Sequence, residues 1–121
     1  MRTFKIMVTG SRHHTDDDLI WATLDDIVDG FAGNKNVVLI EGGAPGADKI
    51  AHYWAIARGY DVHTFPADWT RFGRAAGPLR NQQMVDQHPD YVAAFPLDDS
   101  RGTWDAVRRA KSAGIPTRID Q

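Results

Sequence analysis

The feature that most constrains this chain is an alternation. Five short apolar runs are separated by longer stretches of helical periodicity: FKIMVT (Phe4 to Thr9), VVLIE (Val37 to Glu41), DVHTF (Asp61 to Phe65), YVAAF (Tyr91 to Phe95) and PTRI (Pro116 to Ile119). The first two are nearly continuous and rich in β-branched residues, as strands covered on both faces are. Between them, Ile20, Leu24, Ile27 and Phe31 recur at helical spacing, and so do Ala47, Ile50, Ala51 and Trp54. A third helix is predicted from about Pro78 to Gln87, and a fourth from Thr103 to Ala113, stopped by Gly114 with Pro116 just beyond. This order predicts an α/β fold of three layers, with a mostly parallel five-stranded sheet.

At 121 residues, one domain spanning 1–121 is expected, with no repeat, linker or low-complexity tract. A formal net charge of -2 excludes a surface that traps nucleic acid as a whole, so any anion site must be local. The chain has no cysteine, which removes disulfides, thiolate catalysis and zinc–thiolate sites. The apolar stretch in MRTFKIMVTGSR is too short for a signal peptide, and no window reaches membrane-spanning length. A cytoplasmic protein is the expectation, with no membrane partner.

In parallel α/β sheets, ligands sit beyond the carboxyl ends of the strands, near the reversal of strand order. The loops there are rich in glycine, arginine and small polar residues. In GGAPGAD (Gly42 to Asp48), glycines permit positive φ and close approach, and the helix that follows offers free amides and a positive dipole end. Two readings stand for it, a packing turn or a phosphate cradle formed by Gly42, Gly43, Gly46 and Ala47, with Asp48 better suited to ribose hydroxyls. The spacing matches neither the dinucleotide nor the Walker fingerprint. TGSR (Thr9 to Arg12) repeats the theme: Gly10 allows the turn, Ser11 donates, and Arg12 forks onto a phosphate. The long stretch PADWTRFGRAAG (Pro66 to Gly77) reads as irregular, and Gly77 and Pro78 as a helix start with Arg80 and Asn81 in its first turn. An arginine there opposes the helix dipole, and an anionic ligand is a sufficient reason for it. In the fourth loop, Gly102 and Thr103 enter a helix, with Thr103 as a cap or a phosphate ligand and Asp105 in the first turn.

Other features carry less. His13 and His14 point apart as neighbours, and no second ligand cluster accompanies them, so no metal is expected. Thr15 and Asp18 read as a capping box. Trp21 and Trp54 belong to helical patterns and are assigned to packing, whereas Trp69 in the irregular loop is placed to stack on a base.

Taken together, VTGSR, EGGAPGADKIAHYWA, ADW and GPLRNQQMV resemble the small YspA/YpsA-related branch of the SLOG superfamily, met in bacterial and phage genomes. The resemblance covers nearly the whole chain. It implies a Rossmann-like domain that binds a nucleotide or nucleotide-derived ligand, ADP-ribose-like or a nucleoside monophosphate, as a sensor or sequestering module without a cofactor. Related domains commonly form dimers, which extends the expectation to a homodimer. The superfamily also contains the lonely-guy phosphoribohydrolases, which release the base from a nucleoside 5'-monophosphate. Arg80 matches their catalytic arginine, so a hydrolytic alternative assigns Arg80 and Asp105 the working roles. Their strand-four motif, PGGxGTxxE, is degraded here: PLDDSRGTWDA keeps Gly102 and Thr103, but Ala106 stands where the glutamate belongs. Asp105 comes one residue early, turned by roughly 100° on a helix, which leaves Asp98 and Asp99 as the nearby carboxylates. A third alternative, single-stranded nucleic-acid binding by analogy with DNA-processing protein A, is the weakest, because the chain has no continuous basic stripe.

Overall fold

In the computed structural model, residues 2–98 and 100–121 are described. The order is β1 (Thr3–Gly10), α1 (Asp17–Phe31), β2 (Asn36–Glu41), α2 (Ala47–Arg58), β3 (Asp61–Thr64), α3 (Trp69–Phe72), a 3-10 turn (Gly73–Ala75), α4 (Ala76–Val85), β4 (Tyr91–Phe95), α5 (Arg101–Ser112) and β5 (Thr117–Ile119). The strands form one sheet in the order β3-β2-β1-β4-β5, with every pairing parallel. The fold is a three-layer, Rossmann-like α/β domain.

Strand residues alternate between two cores, because successive side chains of a strand face opposite ways. Ile6, Val8, Leu39, Ala93 and Phe95 face α1 and α2, where Ile20, Leu24, Ile27, Ala51 and Trp54 are buried. Met7, Ile40 and Val92 face α4 and α5, against Met84, Val85, Ala106 and Ala110. Trp54 is fully enclosed, and its indole N–H donates to Asp25 Oδ1 at 2.8 Å, which satisfies its one polar atom. Phe31 shares the helical spacing of Ile20, Leu24 and Ile27 but not their burial. It is exposed at the end of α1, with its ring 5.0 Å from that of Tyr91.

Three local expectations are corrected. The cap of α1 is Asp16, whose Oδ1 accepts from the Leu19 amide at 3.0 Å, and not Thr15. The stretch after β3 is largely helical: Asp68 caps the one-turn α3, and the 3-10 turn leads directly into α4 at Ala76. Arg80 and Asn81 therefore lie in the second turn of α4 rather than the first. Helix α5 begins at Arg101, which puts Thr103 inside its first turn and not at the cap.

Candidate functional site

The strand order reverses between β1 and β4, whose following loops are tied together where the Ser11 amide donates to Phe95 O at 3.0 Å. Above this point lies a crevice of about 210 Å³. Its walls are Thr9, Gly10, Ser11 and Arg12 after β1, Ala44 and Asp48 after β2, and Trp69 with Arg80, Asn81 and Met84 from α3 and α4. Ser100, Arg101, Gly102 and Thr103 close it after β4. The location is the one that strand topology assigns to ligands in open parallel sheets.

The two helix N-termini beside the reversal differ. That of α2 is partly closed: its ladder begins with Ile50 donating to Gly46 O, and of its first three amides only that of Ala47 is taken by another loop among the described residues. The Ala47 amide donates to Ser11 O at 3.1 Å, and Asp48 Oδ2 accepts from the amides of Gly42, at 3.1 Å, and Ala44, at 3.3 Å. The Gly43 amide donates to Glu41 Oε1. Gly46 has φ +77, and a Cβ there would overlap Ser11 O, so this glycine lets α2 seat directly on the β1 loop. In GGAPGAD the amides of Gly42, Gly43, Ala44 and Ala47 thus serve Asp48, Glu41 and Ser11, as those of a packing turn do. Gly42, Gly43, Gly46 and Ala47, expected as a phosphate cradle, lie outside the crevice lining.

The N-terminus of α5 is open instead. Its ladder begins with Trp104 donating to Ser100 O at 3.1 Å, which leaves the amides of Arg101, Gly102 and Thr103 unused by the helix. The Ser100 hydroxyl accepts from the Leu97 amide at 2.8 Å and fixes the turn that presents them. Thr103 is buried and lines the crevice, with no hydrogen-bond partner for its hydroxyl among the described residues. Arg12, in the loop after β1, and Arg101, the first residue of α5, are both exposed, line the crevice and form no ion pair among the described residues.

Arg80 is held from both sides. Its Nη1 donates to Gly42 O at 2.8 Å and its Nε to Asn81 Oδ1 at 3.1 Å. Asn81 is fully committed, since its Nδ2 also donates to Gly102 O at 3.1 Å and Asp105 Oδ2 at 3.0 Å. Asp48 is buried and lines the crevice; among the described residues its side-chain hydrogen bonds are all at Oδ2, and Oδ1 has no partner. Burial, reinforced by the charge of Glu41, pushes the Asp48 carboxyl up to about 7, against the opposing pull of the Ala44 and Gly42 amides and Arg80.

Asp105, expected as a catalytic group, does not line the crevice. Arg109 Nε at 2.9 Å, Arg108 Nη2 at 2.7 Å and Asn81 all donate to it. Burial raises its carboxyl, but the hydrogen bonds from Arg109 and Asn81 and the charges of the two arginines outweigh that and hold it below the usual range. It is a structural carboxylate that orients Asn81. Ala106, at the place of the glutamate, is fully enclosed in the second core. Asp98 is exposed and does not line the crevice, and Asp99 lies outside the described residues. The lining also includes Thr9, Ala44, Met84, Ser100 and Arg101, which the motifs alone did not single out. Arg101 had a signal, an unpaired arginine beside the Gly102 turn. Met84 had none, because its place depends on the pitch of α4.

The fold and the position of the crevice define a small Rossmann-like domain with a ligand-type cleft at its strand reversal. The chain belongs to the YspA, cpYpsA-related SLOG family, whose model matches residues 4–72. The Gene 61 protein of Mycobacterium phage D29 is 39% identical over 117 residues, covering 93% of this chain and 92% of that protein. Among solved structures, the X-ray structure of TM1055, a Northeast Structural Genomics Consortium target, matches with a TM-score of 0.71 over 94% of this chain and 72% of that one. At 14% identity, that likeness is one of fold. No helix among the described residues is long and apolar enough to cross a membrane.

Proposed function

We propose that this protein binds a nucleotide or nucleotide-derived ligand in the β1/β4 crevice, as a sensor or sequestering module. The observation that carries the reading is the open N-terminus of α5 in a crevice that Arg12 and Arg101 also line, two arginines without acidic partners among the described residues. Free amides, a positive dipole end and forked guanidinium groups are what a phosphate requires. The Thr103 hydroxyl adds a donor to the same end. Arg80 adds charge at the floor, and Asp48 Oδ1 accepts from a sugar hydroxyl. Trp69 offers a ring at the rim.

A hydrolytic reading draws on one observation, the Asp48 carboxyl poised near neutrality inside the crevice. One experiment separates the two. The protein is incubated with a nucleotide panel while melting and base release are followed together. A ligand at 100 times its dissociation constant stabilises by about 2.7 kcal/mol. Stabilisation without base release is the expected result, base release supports the hydrolase, and no melting shift with any member rejects the nucleotide reading.

A further inference from the structure

We infer that the crevice recognises the sugar–phosphate part of its ligand and is tolerant of the base. The inference rests on the nucleotide reading and deepens it. A volume of about 210 Å³ falls below the ~300–1,000 Å³ of clefts that enclose a whole drug-sized ligand, so part of a nucleotide stays outside. The groups that line it suit phosphate and hydroxyls: Arg12, Arg80 and Arg101 with the Thr103 hydroxyl for the one, Asp48 for the other.

The base edge, by contrast, finds no free amide side chain. Asn81 lines the crevice, but its oxygen accepts from Arg80 and its nitrogen donates to Gly102 and Asp105. A free amide side chain is what pairs two hydrogen bonds with an adenine edge, as arginine does with guanine, and the arginines here are the groups that suit phosphate. At the rim, Trp69 is 59% exposed. Its ring leans on the bare Cα of Gly77, where an added Cβ would come within 3.2 Å of it. A ring supported in this way presents a π-face, and stacking on such a face accepts any base.

The test measures dissociation constants for the 5'-monophosphates and 5'-diphosphates of adenosine, guanosine, cytidine and uridine, with ribose 5-phosphate and the free nucleosides alongside. Within each phosphate class, the four nucleotides are expected to agree within about threefold, with ribose 5-phosphate about tenfold weaker. Free nucleosides should bind about 100-fold weaker still or not at all. Trp69→Ala should bring every nucleoside 5'-monophosphate to the level of ribose 5-phosphate, while Trp69→Phe, which keeps a ring, retains most of the affinity. A preference of more than about thirtyfold for one base overturns base tolerance and leaves the nucleotide reading standing. Binding of neither nucleotides nor ribose 5-phosphate rejects the nucleotide reading itself, and base tolerance with it.

Discussion

Arg80 and Gly42 occupy one space. The Arg80 guanidinium donates to Gly42 O at 2.8 Å and lies where a side chain at position 42 would begin: a Cβ there would overlap Nη1 and come within 2.8 Å of Cζ. The glycine that follows β2 thereby fixes the arginine that floors the crevice. Gly42→Ala should displace the guanidinium, at a cost of about 1–2 kcal/mol for the lost hydrogen bond and repacking. Ligand affinity should fall as far as in Arg80→Ala. The double variant should bind no more weakly than either single one, because both remove the same contact. Additive losses in a double-mutant cycle would show that the two act separately.

Asp48 makes stability depend on pH. Its carboxyl is raised from 3.8 to about 7 in the folded protein, so the unfolded chain gives up this proton first as pH rises. The folded state is favoured below the unfolded value and loses that advantage as pH climbs through about 7. Between pH 5 and 8 the loss is on the order of 2–3 kcal/mol at ~1.4 kcal/mol per unit. Asp48→Asn retains an oxygen for the Gly42 and Ala44 amides and should flatten the slope in denaturant titrations at several pH values. A variant as pH-sensitive as the parent would assign the effect to another group.

Arg12→Ala and Arg101→Ala separate binding from folding. Neither guanidinium has an acidic partner among the described residues, so stability should change by no more than about 0.5 kcal/mol. Nucleotide affinity should fall about tenfold or more for each, and the parent's affinity should weaken with salt. Unchanged isothermal titration curves would remove the phosphate from this end of the crevice.

Asp105→Asn tests the structural role of that carboxylate. Its partners are Arg108, Arg109 and Asn81, so the variant should be less stable by about 1–3 kcal/mol. Ligand affinity should stay within about threefold, because Asn81 keeps its bonds to Gly102 O and Arg80. Loss of binding in a variant with an unchanged melting curve would return Asp105 to the site.

The strands and most of the helical core were legible because they depend on near-neighbour patterns. Val37 to Ile40 and Tyr91 to Phe95 read as strands from their apolar runs, and Ile20, Leu24 and Ile27 as one helical face. The short α3 was missed, since a one-turn helix capped by Asp68 has no periodicity to detect. Phe31 fitted the helical period but fell at the last residue of α1, where the sheet no longer covers it.

The sequence by itself determined the layered parallel fold, the four loops at its carboxyl edge and the residues able to meet an anion there, because chain order and spacing set those. Only the tertiary structure decided which glycine turn remains open. GGAPGAD and DSRGT both lead into helices, and pattern alone left the first open between a packing turn and a phosphate cradle. The outcome depends on partners distant along the chain: Ser11 O takes the first amide of α2, and the Asp48 carboxylate folds back onto Gly42 and Ala44, whereas among the described residues no such acceptor meets the first amide of α5. A backbone amide already bonded to the protein has nothing left for a ligand, and that is a property of three-dimensional contact, which spacing does not encode.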